Sequence, residues 1–181
     1  MSRLDTPALD TLSPEQREVH ESISSGPRGG VHGPLGVWLW RPELASRAQA
    51  LGRYCRYDSS LPPRLSELAI LTTARHWSAE FEWLHHKQPA LDAGLDPNII
   101  EAIRQAKTPD FSHDDEQVVY HFSVELQNNH FVSDVTYKKA FELLGRDSIV
   151  DLVGILGYYA LISMTINAFE VDAPSSHDPQ L

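Results

Sequence analysis

The chain of 181 residues carries 25 acidic and 15 basic side chains, a formal charge of −10, which argues against nucleic acid and anionic membrane surfaces as partners because both are bound through clustered Lys and Arg. Hydrophobic residues at 41% and charged residues at 22% are the balance of a globular domain with a core of its own. The single cysteine, Cys55, excludes an intramolecular disulfide and a Cys-x-x-Cys redox centre, and the opening MSRLDTPALD lacks the basic-then-apolar order of a secretory signal, so a cytoplasmic location is expected.

Helix punctuation recurs along the chain. SPEQREVHESI opens with Ser13 as N-cap, Pro14 at the first helical position and Gln16 three residues past the cap, the pattern of a capping box. Residues 24–36, SSGPRGGVHGPLG, are rich in Gly and Pro and read as loop. A helix follows from Pro42, with Leu44, Ala48, Leu51 and Cys55 on one face. LPPRLSELAILTTARHW opens a helix at Pro62 and Pro63, and Leu65, Leu68, Ala69, Leu71 and Thr72 supply its apolar side. The next helix takes Ser78 as N-cap and stops at Gly94. Pro89 inside it predicts a kink or break near His85 and His86.

DPNIIEAIRQA starts a helix at Asp96 and Pro97. SHDDEQVVYHFSVELQNN has Ser112 as N-cap and Asp115 at N3, and runs to about Asn128. SDVTYKKAFELLG spans Ser133 to Gly145. A long final helix follows, after which DAPSSHDPQL reads as a frayed tail. Residues 152–169 of that helix hold no charge. Gly154, Gly157, Ser163, Thr165 and Asn167 dilute the run, so a helix buried in the core or at a subunit contact is expected, not a membrane span. No run alternates as a strand would. The expected fold class is all-α: about eight helices in one domain, 1–181, with its core at about 33–173, an N-terminal helix and loop at 1–32, and a flexible tail at 174–181.

The stretch WSAEFEWLHHKQPALDAGL carries the most chemistry. Glu82 and His86 stand four residues apart and share a helical face. The preceding helix ends almost where this one begins, so the two are expected to fold back as an antiparallel pair. Counting outward from the junction, Glu67 and His86 then differ by only about 3 Å along the axis at a rise of about 1.5 Å per residue. Glu67, Glu82 and His86 are thus candidates to converge on one pocket. A glutamate beside a histidine raises its pKa and fixes its tautomer, and such a group moves protons. The spacing alone also suits a solvated helix face with a stabilising pair.

LPPRLSELAILTTARHWSAEFEWLHHKQPALDAGL resembles the carboxymuconolactone decarboxylase family, within the alkyl hydroperoxidase D-like group. GPLGVWLWRPELASRAQALGRYCRYDSSLPP is similar to the segment before that family's helical hairpin, and LVGILGYYALISMTINAFEVDAP to its closing helix. The resemblance covers about residues 33–173. It implies an alkyl hydroperoxidase D-like helical bundle, assembly as a homotrimer or homohexamer, and an active site at Glu67, Glu82 and His86. The peroxidase branch has a Cys-x-x-Cys pair before its histidine. The corresponding positions are Ala79 and Glu82, so dithiol peroxidase chemistry is not expected. The decarboxylase branch has Glu-x-Glu, matching Glu80 and Glu82.

The resemblance therefore implies a lyase that needs no cofactor and no metal, a decarboxylase of a small carboxylated lactone or related unsaturated acid in the catabolism of aromatic or similar compounds. His86 is its expected proton donor, tuned by Glu82, with Glu67 a second acid/base group. Arg64 and Arg75 are candidates to bind the substrate carboxylate. Trp83 and His85 are candidates to line the pocket, with Trp77, and Trp38 and Trp40 to cover it. Alternatives stay open. One is a non-decarboxylating isomerase or hydrolase, or a peroxidase-related protein without dithiol chemistry. Another is a metal site: Glu82-x-x-His85 lacks the second such pair of a di-iron bundle, which leaves a mononuclear site of Glu67, Glu82 and His85 or His86. A third is a catalytically silent oligomer that binds a ligand. His20, His32, His76, His113, His121, His130 and His177 read as solvent-facing or structural.

Overall fold

The computed structural model describes residues 2–174 and 180–181, and among these its eight α-helices are joined without any strand. A 3-10 turn, Leu9–Thr11, precedes α1 (Pro14–Ser24), α2 (Pro34–Trp38) and α3 (Pro42–Arg53). A wide π-helical turn, Tyr54–Asp58, leads to α4 (Pro63–Trp77), α5 (Glu80–Asp92), α6 (Pro97–Arg104), α7 (Asp114–Asn129) and α8 (Asp134–Phe169). The all-α expectation holds. His177 and most of the expected tail lie outside the described residues. Of the tail's last two residues, the Gln180 carbonyl accepts from Arg104 and the Leu181 amide donates to Glu80.

The fold is organised around α4. Every residue from Leu65 to Ala74 is buried, with α5, α7 and α8 packed about it. A helix buried all round needs its polar groups satisfied internally. Thr72 and Thr73 return their hydroxyls to the carbonyls of Leu68 and Ala69, four residues back. Glu67 is the one ionisable side chain in that run, and its partner defines the site below.

Several boundaries follow the sequence. Ser13 and Gln16 form a reciprocal capping box, and Asp96 and Ser133 accept from the backbone of Asn98 and Thr136 as N-caps. Gly145 (φ 79°, ψ 171°) divides α8 where the two helices were expected to meet. Most of the apolar window of α8 is buried within the protein, as a core helix requires.

Others differ. Pro34 begins a short helix inside the expected 24–36 loop. Ser78 does not cap α5; it closes α4 in the left-handed region (φ 50°), where the Ser78 and Ala79 amides donate to Arg75 and Ala74 carbonyls. This reversal leaves only two residues between α4 and α5 and turns them back on each other. His113, not Ser112, occupies the N-cap of α7, and Asp115 is drawn to Arg64. α5 runs unbroken through Pro89, whose carbonyl still accepts from Ala93. On α3 the buried stripe is Ala45, Ala48 and Gly52, followed by Cys55 in the π-turn, while Leu44 and Leu51 are exposed. Small residues face inward there because α3 lies close against its neighbours.

Candidate active site

The α4–α5 reversal brings Glu67, Glu82 and His86 together. Nδ1 of His86 lies 2.6 Å from a Glu67 carboxylate oxygen and Nε2 lies 2.9 Å from one of Glu82. His86 is 1% exposed, and both glutamates are buried. The Glu82 contact is the i, i+4 pair; the Glu67 contact is the cross-helix one.

Two carboxylates on two ring nitrogens constrain the protons. A neutral imidazole carries one N–H and one lone pair. With both glutamates ionised, one carboxylate would therefore face a lone pair. The cluster avoids this only by holding one further proton, either as imidazolium or on a carboxyl group. Burial alone would lower the His86 pKa, but the Glu82 and Glu67 charges and hydrogen bonds outweigh it and lift it to about 9. The cluster thus keeps a mobile proton at neutral pH, and passing it between ring and carboxylate leaves the net charge unchanged. Tyr159 stands edge-on to the ring, centroids 5.1 Å apart.

The cluster opens on a cleft of about 60 Å³. Glu82 and His86 line it; Glu67 does not, and sits behind the ring. The lining also includes Arg28 from the α1–α2 loop, Arg56 from the π-turn, and Tyr158 and Tyr159 from α8. Phe81 closes one side over Gly33, where φ is +57° and a methyl group would collide with the ring. His85 also lines the cleft, stacked on Phe81 at an interplanar angle of 14°. Its Nε2 faces Arg56 at 3.1 Å. Arginine only donates, so His85 must accept there and carry its hydrogen on Nδ1. Burial, followed by the positive charges of His86 and Arg56, lowers the His85 pKa to about 4 and keeps it neutral.

The remaining sequence candidates lie elsewhere. Arg64 is paired with Asp115 at 2.7 Å and with Glu116, which is 2% exposed. It ties α4 to α7 and does not reach the cleft. Arg75 contacts Ser78 at the end of α4, beside a separate hollow that His76 also lines. Trp83 is fully buried in the core. Trp38 donates to Thr165 and packs edge-on against Tyr158, behind the cleft wall. Trp77 packs half-buried on the core, and the exposed Trp40 donates to the Asp5 carbonyl, so neither covers the site. His32, read from sequence as peripheral, lines the cleft. Cys55 is buried away from it, its thiol pushed up to about 11 by burial and by Asp151. Among the described residues no group of three or more His, Cys, Asp or Glu side chains is arranged to hold a metal ion.

Arg28, Arg56, Phe81 and the tyrosine pair were missed. Two signals pointed to Phe81 and to the tyrosines. Phe81 lies four residues before His85 on the same helical face. Tyr158 and Tyr159 put two hydroxyls into an otherwise aliphatic run, where each needs a partner.

The fold is shared with solved structures. A peroxidase-related protein of Ralstonia eutropha JMP134, described as an alkylhydroperoxidase AhpD core, superposes with a TM-score of 0.75 at 15% identity, over 96% of this chain and 92% of its own. A peroxidase-related protein of Silicibacter sp. TM1040 gives 0.76 at 13% identity over the same shares. The debrominase Bmp8 in complex with 2,3,4-tribromopyrrole gives 0.75 at 14% identity, over 97% of this chain and 94% of its own. The chain therefore has the alkylhydroperoxidase D-like fold, a fold that supports more than one activity. No protein-family model matches the chain, and no curated protein does.

Proposed function

We propose that the chain is an acid/base lyase of small carboxylated molecules, a decarboxylase of an unsaturated or lactone-type acid acting in the cytoplasm. The observation that carries this reading is the buried Glu67–His86–Glu82 cluster at the wall of a small cleft. Decarboxylation leaves the bonding electron pair on the substrate as an enolate, which is quenched by a proton delivered to carbon. Glu82, which lines the cleft, exchanges that proton with the substrate; His86 relays it; Glu67 holds the ring from behind and stabilises its charged form. Solvent then restores the proton, so the side chains close the cycle themselves. The fold neighbours do not bear on the substrate. Thiol chemistry of a dithiol kind has no support here, since the chain has one cysteine.

Copies of the chain are proposed to associate as a trimer or hexamer. Val150, Val153 and Met164, on one face of α8 after Gly145, are exposed apolar side chains that suit such contact; a monomeric mass by light scattering would refute this. The activity is tested by carbon dioxide release from a panel of β-keto acids and unsaturated lactone acids. Release from at least one acid, lost in His86→Gln, is expected. Release from none, by a folded wild-type protein, refutes the decarboxylase reading.

A further inference from the structure

The two arginines of the cleft are the unusual feature of an acidic protein. Neither Arg28 nor Arg56 has a carboxylate within ion-pair distance among the described residues, although the chain holds 25 acidic side chains. Nε and Nη2 of Arg28 are buried with no hydrogen-bond partner, and so are the hydroxyls of Tyr158 and Tyr159. The Arg28 guanidinium lies beside the Tyr158 hydroxyl and opposes the rise in its pKa caused by burial, yet no hydrogen bond of good geometry joins them. Both tyrosines are 2% exposed. Buried donors left unmatched are destabilising unless an acceptor comes to them.

We infer that Arg28, Arg56 and the Tyr158 and Tyr159 hydroxyls form a seat for the carboxylate of a small organic acid, with His85 as the positioning residue that aims Arg56. The chemistry of the donors selects the ligand: a carboxylate offers several lone pairs to a planar guanidinium fork. Arg56 is braced for this role. Its π-turn is tied to α8 by Asp151, which accepts from Tyr54 at 2.7 Å and from both the amide and the hydroxyl of Ser60. Its guanidinium also lies over the Tyr57 ring. His85, itself fixed on Phe81, supplies a neutral acceptor that leaves the positive charge of Arg56 uncancelled. Gly52 admits Arg28 and Tyr158, because a methyl group there would collide with the Tyr158 hydroxyl. The seat shares its cleft with Glu82 and His86. The inference thus deepens the reading above by naming the residues that select the substrate's charge.

The test reads binding, so that it stands apart from turnover. Furan-2-carboxylate and furan-2-carboxamide, alike in shape but not in charge, are titrated calorimetrically against the full chain. Wild type is expected to bind the acid at least tenfold tighter than the amide. Arg56→Gln should cut the preference, Arg28 retaining the remainder, and Arg56→Lys should restore part of what is lost. His85→Phe should weaken the preference while leaving the charge of Arg56 in place, a change that a merely structural His85 would not produce. Because the readout is binding and not turnover, the preference can hold even where the carbon dioxide assay fails, which separates failure of the seat from failure of the lyase chemistry. Equal binding of acid and amide by wild type, no binding of either, or an undiminished preference in folded Arg56→Gln would overturn the inference.

Discussion

Replacing Glu67 by Gln keeps an oxygen that can accept from Nδ1 of His86 but removes a charge from the cluster. The group is buried, bonded to His86 at 2.6 Å and away from the cleft wall, so substrate access is unaffected. Removing a unit charge about 4 Å from another loses about 4 kcal/mol at an effective dielectric of about 20. At about 1.4 kcal/mol per pKa unit, that returns His86 from about 9 to near its ordinary value of about 6.5. The stability consequence has a definite sign. A histidine whose folded pKa is raised contributes stability that is fully present below about 6.5 and is lost as pH rises through about 9. Wild type should therefore lose about 3 kcal/mol of this contribution between those limits, and Glu67→Gln should lose little. Urea denaturation across pH 6 to 10, with ¹⁵N NMR titration of the His86 ring, reads both effects. Parallel stability profiles, or an unchanged His86 titration in the variant, would refute the proton-holding cluster.

Arg64→Leu should cost about 3–5 kcal/mol of stability, because it leaves the buried Glu116 without its partner; a loss below about 1 kcal/mol by urea titration would contradict the pairing. Gly52→Ala should cost about 1–3 kcal/mol, since the methyl group displaces Tyr158 and Arg28; an unchanged urea midpoint would show that the close approach is not required. Cys55, buried with its thiol raised to about 11, should resist iodoacetamide in the folded protein at pH 8 and react fully in urea. Rapid labelling of native protein, followed by mass spectrometry, would contradict that burial.

The cluster was legible because its logic is local. Glu82 and His86 share a helical face by spacing, and a two-residue junction forces α4 and α5 antiparallel, which brings Glu67 level with the ring. The caps at Ser13, Asp96 and Ser133 were legible for the same reason. Ser78 was not, because a left-handed C-cap for α4 and an N-cap for α5 compete for one residue and the chain reversal decides. Arg64 was misread as a substrate ligand: its partners, Asp115 and Glu116, lie some fifty residues away, and no periodicity reports them. Arg28 and Arg56 were invisible as site residues because a loop and a π-turn carry them. On α3 the leucines pointed the apolar stripe the wrong way, since close helix packing selected Ala45, Ala48 and Gly52 for the interior.

Decarboxylation in deuterium oxide tests the central claim most directly, with wild type and His86→Gln given the same unsaturated acid. The account predicts carbon dioxide release with one deuterium placed on the vacated or conjugated carbon by wild type, and loss of both in the variant. Equal release and labelling by a folded His86→Gln protein would contradict it.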